Sequence, residues 1–225
     1  MTTAPLPKPL IFAHRGASQV APENTAIALQ IAAQEGARWV EVDLHLTADR
    51  KIIVIHNETV DKTTDGHGRV LDMTAAQLFK LDAGSWFANE FVGQRLLSLE
   101  QLIDLLVRFD LNVNLEIKSE LGVEQETSEI IAKILKKQWP ANKLLPLMSS
   151  FSPVALRAIK AAAPRLPRGL LLKQWQTDSA ALATELECVT VNLARSQVNA
   201  VVVQEIKALE KKILVYTVNQ LDEAL

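Results

Sequence analysis

The chain has 225 residues, of which 48% are hydrophobic and 22% charged, a composition that can bury a sizeable core and excludes a disordered protein. Its net charge of -2 excludes the basic surface typical of nucleic-acid binding, so we expect no nucleic-acid partner. Cys188 is the only cysteine and excludes an internal disulfide, while the lack of any signal-like or membrane-spanning apolar run predicts a cytoplasmic protein without stable membrane insertion.

Short apolar runs alternate with helix-like patterns along the chain. The apolar runs predict strands over Pro9–Ala13, Trp39–Leu46, Ile52–His56, Leu111–Ile117, Leu145–Ser149, Gly169–Leu172, Val189–Leu193 and Ile213–Val218. The helical patterns cover Thr25–Glu35, Leu99–Phe109 after the N-cap Ser98, Glu124–Gln138, Pro153–Ala163, Asp178–Glu187 and Val198–Lys212. This alternation predicts βαβ units and a parallel sheet.

One junction departs from the alternation. The second and third predicted strands are joined by the five residues Thr47–Lys51, which is too short for a parallel crossover. We therefore expect an antiparallel hairpin. A turn centred near Ala48–Asp49 would place Val54 opposite Asp43 and His56 opposite Glu41.

The segment 57–97 is too long for a plain loop and carries several turn signals and aromatic residues. It predicts a small insertion over one end of a TIM-type (β/α) barrel, within a single domain of residues 1–225. With the returning hairpin strand set aside, seven parallel strands are predicted. Asn219–Leu225 then resembles the opening of another helix, so we expect the chain to lack the last strand and helix of an eight-stranded barrel.

Polar residues follow several of these strands. His14-Arg15-Gly16 ends the first strand, at the sheet edge where α/β proteins bind ligands. Glu41 and Asp43 alternate along the second strand and therefore point to the same side. Two buried carboxylates repel each other unless a cation compensates, and a divalent metal with oxygen ligands fits. Taken singly, these residues also fit a helix-capping histidine, a solvated arginine and a rim salt bridge.

Three further polar residues map to the same rim. His56 ends the returning hairpin strand beside the acid pair. Glu116 and Lys118 share one face at the end of the strand Leu111–Ile117, where the structural alternative is a surface Glu–Lys pair. His45 continues the face of Asp43, and we expect it at the surface or the substrate rim rather than at a metal. His67 lies in a Gly-rich turn and is expected to be solvated.

The combined motifs resemble those of the glycerophosphodiester phosphodiesterase family. The resemblance rests on His14-Arg15-Gly16, Pro22-Glu23-Asn24-Thr25, Glu41-Val42-Asp43, His56, Glu116-Ile117-Lys118, Ser149-Ser150-Phe151 and Tyr216-Thr217-Val218-Asn219. Asp82-Ala83-Gly84-Ser85-Trp86 and Leu166–Leu172 look most similar to the cytoplasmic bacterial enzyme associated with glycerol-3-phosphate uptake.

The resemblance implies a metal-dependent hydrolase that releases glycerol-3-phosphate and an alcohol from a glycerophosphodiester. It implies one divalent cation, Mg²⁺ or Ca²⁺, bound by Glu41, Asp43 and Glu116. His14 and His56 would be the acid and base, and Arg15 and Lys118 would hold the phosphate; the sequence leaves open which histidine plays which part. Asn57 and Tyr216 depart from the family, which more often has aspartate and tryptophan at these positions.

Two alternatives remain at this point. One is cleavage of lysophospholipids or related lipids through an apolar entrance formed by Phe79, Trp86, Phe87 and Phe91, although core packing accounts better for these aromatics. The other is a non-catalytic metal- or phosphate-binding protein. The presence of both His14 and His56 argues against it, because binding alone needs no pair of proton-transfer groups.

Overall fold

A computed structural model of the chain describes residues 11–118 and 120–220. The strands are β1 (Phe12–His14), β2 (Trp39–Leu46), β3 (Ile52–Val54), β4 (Leu97–Ser98), β5 (Asn112–Ile117), β6 (Leu147–Ser150), β7 (Arg168–Leu172), β8 (Cys188–Ala194) and β9 (Lys212–Tyr216). The helices are α1 (Ala26–Gln34), α2 (Ala75–Leu78), α3 (Leu99–Arg108), α4 (Glu124–Gln138), α5 (Pro153–Ala162), α6 (Ser179–Glu185) and α7 (Ala200–Ala208).

All nine strands described form one sheet. Seven of them (β1, β2 and β5 to β9) run parallel, and β1 and β9 pair with β2 and β8 but not with each other within the described ranges. The predicted parallel βαβ order is therefore present. The helix predicted from Asn219 falls largely on residues 221–225, outside the described residues, so the predicted lack of a last strand and helix stays a prediction.

At two of the predicted helix starts, a side chain accepts a hydrogen bond from a free backbone N–H of the first turn. Thr25 accepts from Ala28 N at the start of α1. Ser98 forms the predicted cap of α3, in a capping box with Gln101. These caps fix where the helices begin, and the apolar faces of α1, α3, α4 and α5 then pack on the outer face of the sheet in one large core.

The hairpin of β2 and β3 forms, but the predicted register is wrong by one residue. Val54 lies opposite Leu44, not opposite Asp43. Both side chains are fully buried in the core under the helices, whereas the predicted pairing would have put Val54 on the carboxylate face. Because side chains alternate between faces, burial of the apolar set decides the register. β3 ends at Val54, so His56 lies beyond the ladder rather than opposite Glu41.

The segment 57–97 packs beside this hairpin. It contains two 3-10 turns, α2 and the short strand β4, which pairs with β3. It has a small apolar core of its own with β3, which includes Ile53, Val60, Val70, Leu78 and Leu96. The assignment of one domain to residues 1–225 stays a prediction. No helix in the described ranges combines the length and the hydropathy needed to cross a membrane.

Candidate active site

The turn after β1 brings His14 and Arg15 to the rim of the sheet. Arg15 and Gly16 both have positive φ, 56° and 80°, so the chain reverses sharply there. A Cβ on Gly16 would lie 2.8 Å from the backbone of Ala28 in α1, so this close approach requires glycine. The backbone N–H of Arg15 donates to the carbonyl of Glu41 at 2.8 Å, which ties the turn to β2.

Three carboxylates meet at this rim. His14 is the register partner of Glu41 on β1 and β2, and Glu116 is the register partner of Asp43 on β5 and β2. Because register partners on neighbouring strands lie side by side on one face, the acids converge. Oxygen atoms of Glu41, Asp43 and Glu116 all lie within 4.8 Å of one another, and all three residues are largely buried.

Burial and mutual repulsion make this acidic cluster unfavourable without a cation. Burial, and then the charges of Asp43 and Glu116, raise the pKa of Glu41 well above its ordinary value. Oε1 of Glu41 is buried without a hydrogen-bond partner in the described part of the chain. This unpaired, buried oxygen and the two neighbouring carboxylates together form a suitable ligand set for a hard divalent cation. The residues therefore fit the metal predicted from the sequence.

Two cationic side chains border the cluster. Nζ of Lys118 is 2.8 Å from Glu116 Oε1 and 3.3 Å from Asp43 Oδ1. Nη1 of Arg15 donates a bifurcated hydrogen bond to both carboxylate oxygens of Glu23, at 2.9 and 3.1 Å, and Nε of Arg15 is 3.4 Å from Asp43 Oδ2. Burial raises the pKa of Asp43, but the charges of Lys118 and Arg15 and the hydrogen bond from Asn24 outweigh it, so the pKa is lowered.

The two histidines reach the cluster from different elements. Nε2 of His14 is 3.7 Å from Glu41 Oε2. His56 follows β3, and its Nδ1 is 2.8 Å from Oδ1 of Asn57. Burial, and next the charge of Arg15, lower the pKa of His14 to about 4. Burial also lowers the pKa of His56, so both imidazoles are neutral near pH 7 and able to accept a proton.

The structure therefore brings together all seven residues that the sequence singled out: His14, Arg15, Glu41, Asp43, His56, Glu116 and Lys118. Their individual roles stay predictions. The predicted position of His45 is wrong. Its side chain is 2% exposed because Glu120 and the carbonyl of His56 cover it. The solvated position of His67 is confirmed, since its side chain is 86% exposed.

Sequence reasoning assigned no role to two further site residues. Asn24 is buried with φ of 60° and donates to Asp43 Oδ2 at 2.9 Å, and Glu23 holds the Arg15 guanidinium. The sequence feature that could have identified them is their position immediately before the N-cap Thr25, in a turn that faces the end of β2. The left-handed conformation of Asn24 is what turns its amide towards Asp43, and asparagine tolerates it better than most residues.

Fold and site together place the protein among the (β/α)-barrel phosphodiesterases. The match to a family model is broad: the model of the Glycerophosphoryl diester phosphodiesterase family matches residues 14–224. The chain belongs to this family, whose members are hydrolases of phosphoric diesters. The expected TIM-type fold class is confirmed, as is the family resemblance found in the sequence.

Individual relatives agree with the family assignment. A glycerophosphodiester phosphodiesterase of Caldanaerobacter subterraneus subsp. tengcongensis is 37% identical over 185 residues, which are 82% of this chain and 75% of the relative. One of Bacillus subtilis is 36% identical over 76% of this chain but only 61% of its own length. A phosphodiesterase of Oleispira antarctica, solved with its product sn-glycerol-3-phosphate, superposes with a TM-score of 0.92 at 34% identity, covering 96% and 87% of the two chains.

Proposed function

We propose that the protein hydrolyses glycerophosphodiesters to glycerol-3-phosphate and an alcohol, with one divalent cation and two histidines. The observation that carries this proposal is the set of three buried carboxylates within 4.8 Å of one another, bordered by two cations and two imidazoles at one rim of the sheet. Family membership and the sn-glycerol-3-phosphate bound to the similar Oleispira antarctica enzyme support the substrate class.

Glu41, Asp43 and Glu116 would hold the cation, Mg²⁺ or Ca²⁺, because both ions prefer carboxylate oxygens. When bound, such a cation supplies positive charge that stabilises the negative charge developing during phosphoester cleavage. Asn24 supports this ligand set, since its amide group holds one oxygen of Asp43 and so fixes the direction of the other.

Arg15 and Lys118 would bind the phosphate of the substrate. The guanidinium of Arg15 is oriented by Glu23, and its Nε faces Asp43 Oδ2 at 3.4 Å. A planar guanidinium fixed by two carboxylates at the rim suits a phosphate oxygen. The ammonium group of Lys118 lies between two carboxylates and adds a second positive charge at the same place.

His14 and His56 would transfer the protons in two steps. In the first, one imidazole takes the proton of the substrate's glycerol 2-hydroxyl, whose oxygen attacks phosphorus. The bond from phosphorus to the alcohol breaks, and the other imidazole protonates that alcohol. In the second, the histidines exchange roles and water opens the cyclic phosphate to glycerol-3-phosphate. An internal nucleophile is favoured because it is already held close to phosphorus.

Three of the four aromatics of the alternative lipid entrance pack against other apolar side chains. Phe91 is buried against Ala21 and Ala28 and stacks edge-to-face with Phe87, while Phe79 packs into the core of the segment 57–97. Phe79, Phe87 and Phe91 are therefore engaged in packing, whereas Trp86 is 39% exposed and meets Phe87 edge-to-face. A cytoplasmic location stays a prediction from the sequence.

Release of glycerol-3-phosphate from a panel of glycerophosphodiesters, measured with and without EDTA, tests the proposal. We expect release that EDTA abolishes and that added Mg²⁺ or Ca²⁺ restores. Turnover that survives complete removal of divalent cations would contradict the metal, and products other than glycerol-3-phosphate would contradict the substrate class.

A further inference from the structure

A second buried polar cluster lies beside the candidate site. His45 is on β2, two residues beyond Asp43, and its Nε2 is 3.2 Å from the backbone carbonyl oxygen of His56. Its Nδ1 is 3.6 Å from Oε2 of Glu120. A buried imidazole between two oxygen acceptors costs desolvation energy that its contacts must offset, so this arrangement calls for an explanation.

Glu120 also contacts a residue of the segment 57–97. It is 6% exposed, although it lies in the connection from β5 to α4, and its Oε1 accepts a 2.6 Å hydrogen bond from the guanidinium of Arg69 in the segment 57–97. The contact with His45 and the hydrogen bond from Arg69 outweigh burial and lower the pKa of Glu120. The cluster thus joins β2, the segment 57–97 and the β5–α4 connection.

The target of this cluster is the backbone of His56. The last ladder bond of the hairpin described is from the N–H of Ile55 to the carbonyl of Asp43, at 3.0 Å. His56 lies one residue further, outside β3, so the strand pairing does not fix its carbonyl. The imidazole of His45 binds that carbonyl instead, while Asn57 holds the His56 ring through Nδ1 at 2.8 Å.

We propose that His45 is a positioning residue for His56, and that Glu120 and Arg69 act through it by fixing its ring. This proposal rests on the proton-transfer role of His56 in the proposed function. A catalytic group must be held close to its productive geometry, and displacement by about 1 Å costs up to about 100-fold in rate. His45 itself touches neither substrate nor cation in this role.

The decisive variants are His45→Leu, which removes the donor, and His45→Gln, whose amide can donate to the same carbonyl. We expect His45→Leu to lower kcat by about 10- to 100-fold with little change in KM, since the loss concerns orientation and not substrate binding. His45→Gln should recover most of kcat. A ¹⁵N-histidine NMR spectrum should show the His56 ring signals shifted or doubled in His45→Leu and restored in His45→Gln.

A second substitution keeps the test informative if His45→Leu does not fold. Arg69→Ala removes only a half-exposed partner of Glu120, and we expect a several-fold loss of kcat. The matched control is Arg157→Ala, which breaks an Arg–Glu pair at 2.7 Å of similar arginine exposure, remote from the site, and should leave kcat unchanged. Full kcat in Arg69→Ala would overturn the proposal.

The variant His56→Ala distinguishes failure of the positioning role of His45 from failure of the proton-transfer role of His56. If it is inactive while folded His45→Leu keeps full kcat, or if His45→Gln is as impaired as His45→Leu, the positioning role is overturned and the proton-transfer role stands. If His56→Ala stays active, the proton-transfer role fails and the positioning role fails with it.

Discussion

Asp43 and Glu116 are register partners on two adjacent parallel strands, and the ammonium group of Lys118 bonds to one oxygen of each. The pairing follows from the alternation along β2 and β5, which sends Glu41 and Asp43 on one strand and Glu116 on the other to the same face. A side-chain cation therefore already compensates part of the charge, whereas Oε1 of Glu41 has no hydrogen-bond partner in the described part of the chain.

Glu116→Gln should weaken divalent-cation binding by at least about tenfold, the loss that even outer partners of a metal site cause. Calorimetric titration with Mg²⁺ and with Ca²⁺ measures it directly. Glu129→Gln, an exposed acid on α4, is the matched control and should bind as the unaltered protein does. Unchanged affinity in Glu116→Gln would remove this residue from the metal site.

Glu41→Gln should stabilise the cation-free protein at neutral pH. Because burial and neighbouring acids raise the pKa of Glu41 in the folded state, its contribution to stability is present at low pH and is lost as the pH rises through the folded-state pKa. Glutamine does not ionise, so its contribution to the stability of the fold does not fall as the pH rises. In EDTA, thermal unfolding at about pH 7 to 8 should show a higher Tm for the variant, with about 2–4 °C for each kcal/mol gained.

Added divalent cation should reverse the order of the two Tm values, because it stabilises only the protein that binds it. The Tm of the unaltered protein should rise on addition of Mg²⁺ or Ca²⁺, and that of Glu41→Gln should change little. An equal rise in both would contradict the assignment of Glu41 as a ligand.

Asn57→Asp should raise the pKa of His56. The amide oxygen of Asn57 is 2.8 Å from Nδ1 of His56, and a carboxylate in its place favours the protonated ring. Burial now lowers the His56 pKa, so the variant should protonate at a higher pH. An NMR titration of the ring, and a pH profile of kcat/KM displaced in the same direction, measure this change.

The control is Asn112→Asp, which adds the same charge at the start of β5, the opposite end from the site. We expect Asn112→Asp to leave the pKa of His56 unchanged. A profile of Asn57→Asp that coincides with that of the unaltered protein would mean that the Asn57 contact does not govern His56.

A glycerophosphodiester whose glycerol 2-hydroxyl is replaced by hydrogen should bind but resist cleavage. The proposed route uses that hydroxyl as the nucleophile, and its proximity advantage is lost with it. An analogue that lacks the 1-hydroxyl instead is the control and should still be cleaved. Near-normal turnover of the 2-deoxy analogue would leave water as the nucleophile. His14→Ala and His56→Ala should each abolish turnover of the intact substrate.

The parts of the fold that follow from local periodicity were predictable from the sequence. The bounds of β2 and α4 agree with prediction, since alternation in one and helical spacing in the other are strong local signals. The same alternation placed Glu41 with Asp43 and Glu116 with Lys118 on one rim. Parallel order followed from the strand–helix succession, which allows few other arrangements.

The predictions that were wrong depended on contacts between segments that are distant in the chain. The hairpin register was decided by the packing of Val54 opposite Leu44, and Arg50 in the turn takes a φ of 59° that no local pattern required. His45 was predicted to be exposed because its cover, Glu120 and Arg69, comes from segments far away in the chain. Strand alternation says which face a side chain occupies, but not what lies above that face.

All eight residues of β2 are buried, with the acids and His45 on one side and Val40, Val42 and Leu44 on the other. A deletion or insertion of one residue within β2 would exchange these sides, sending charged groups into the helix layer and apolar groups into the site. β2 can therefore change its residues but not its length. Length differences between members of the family should therefore fall in loops outside β2, where an added residue leaves this alternation unchanged.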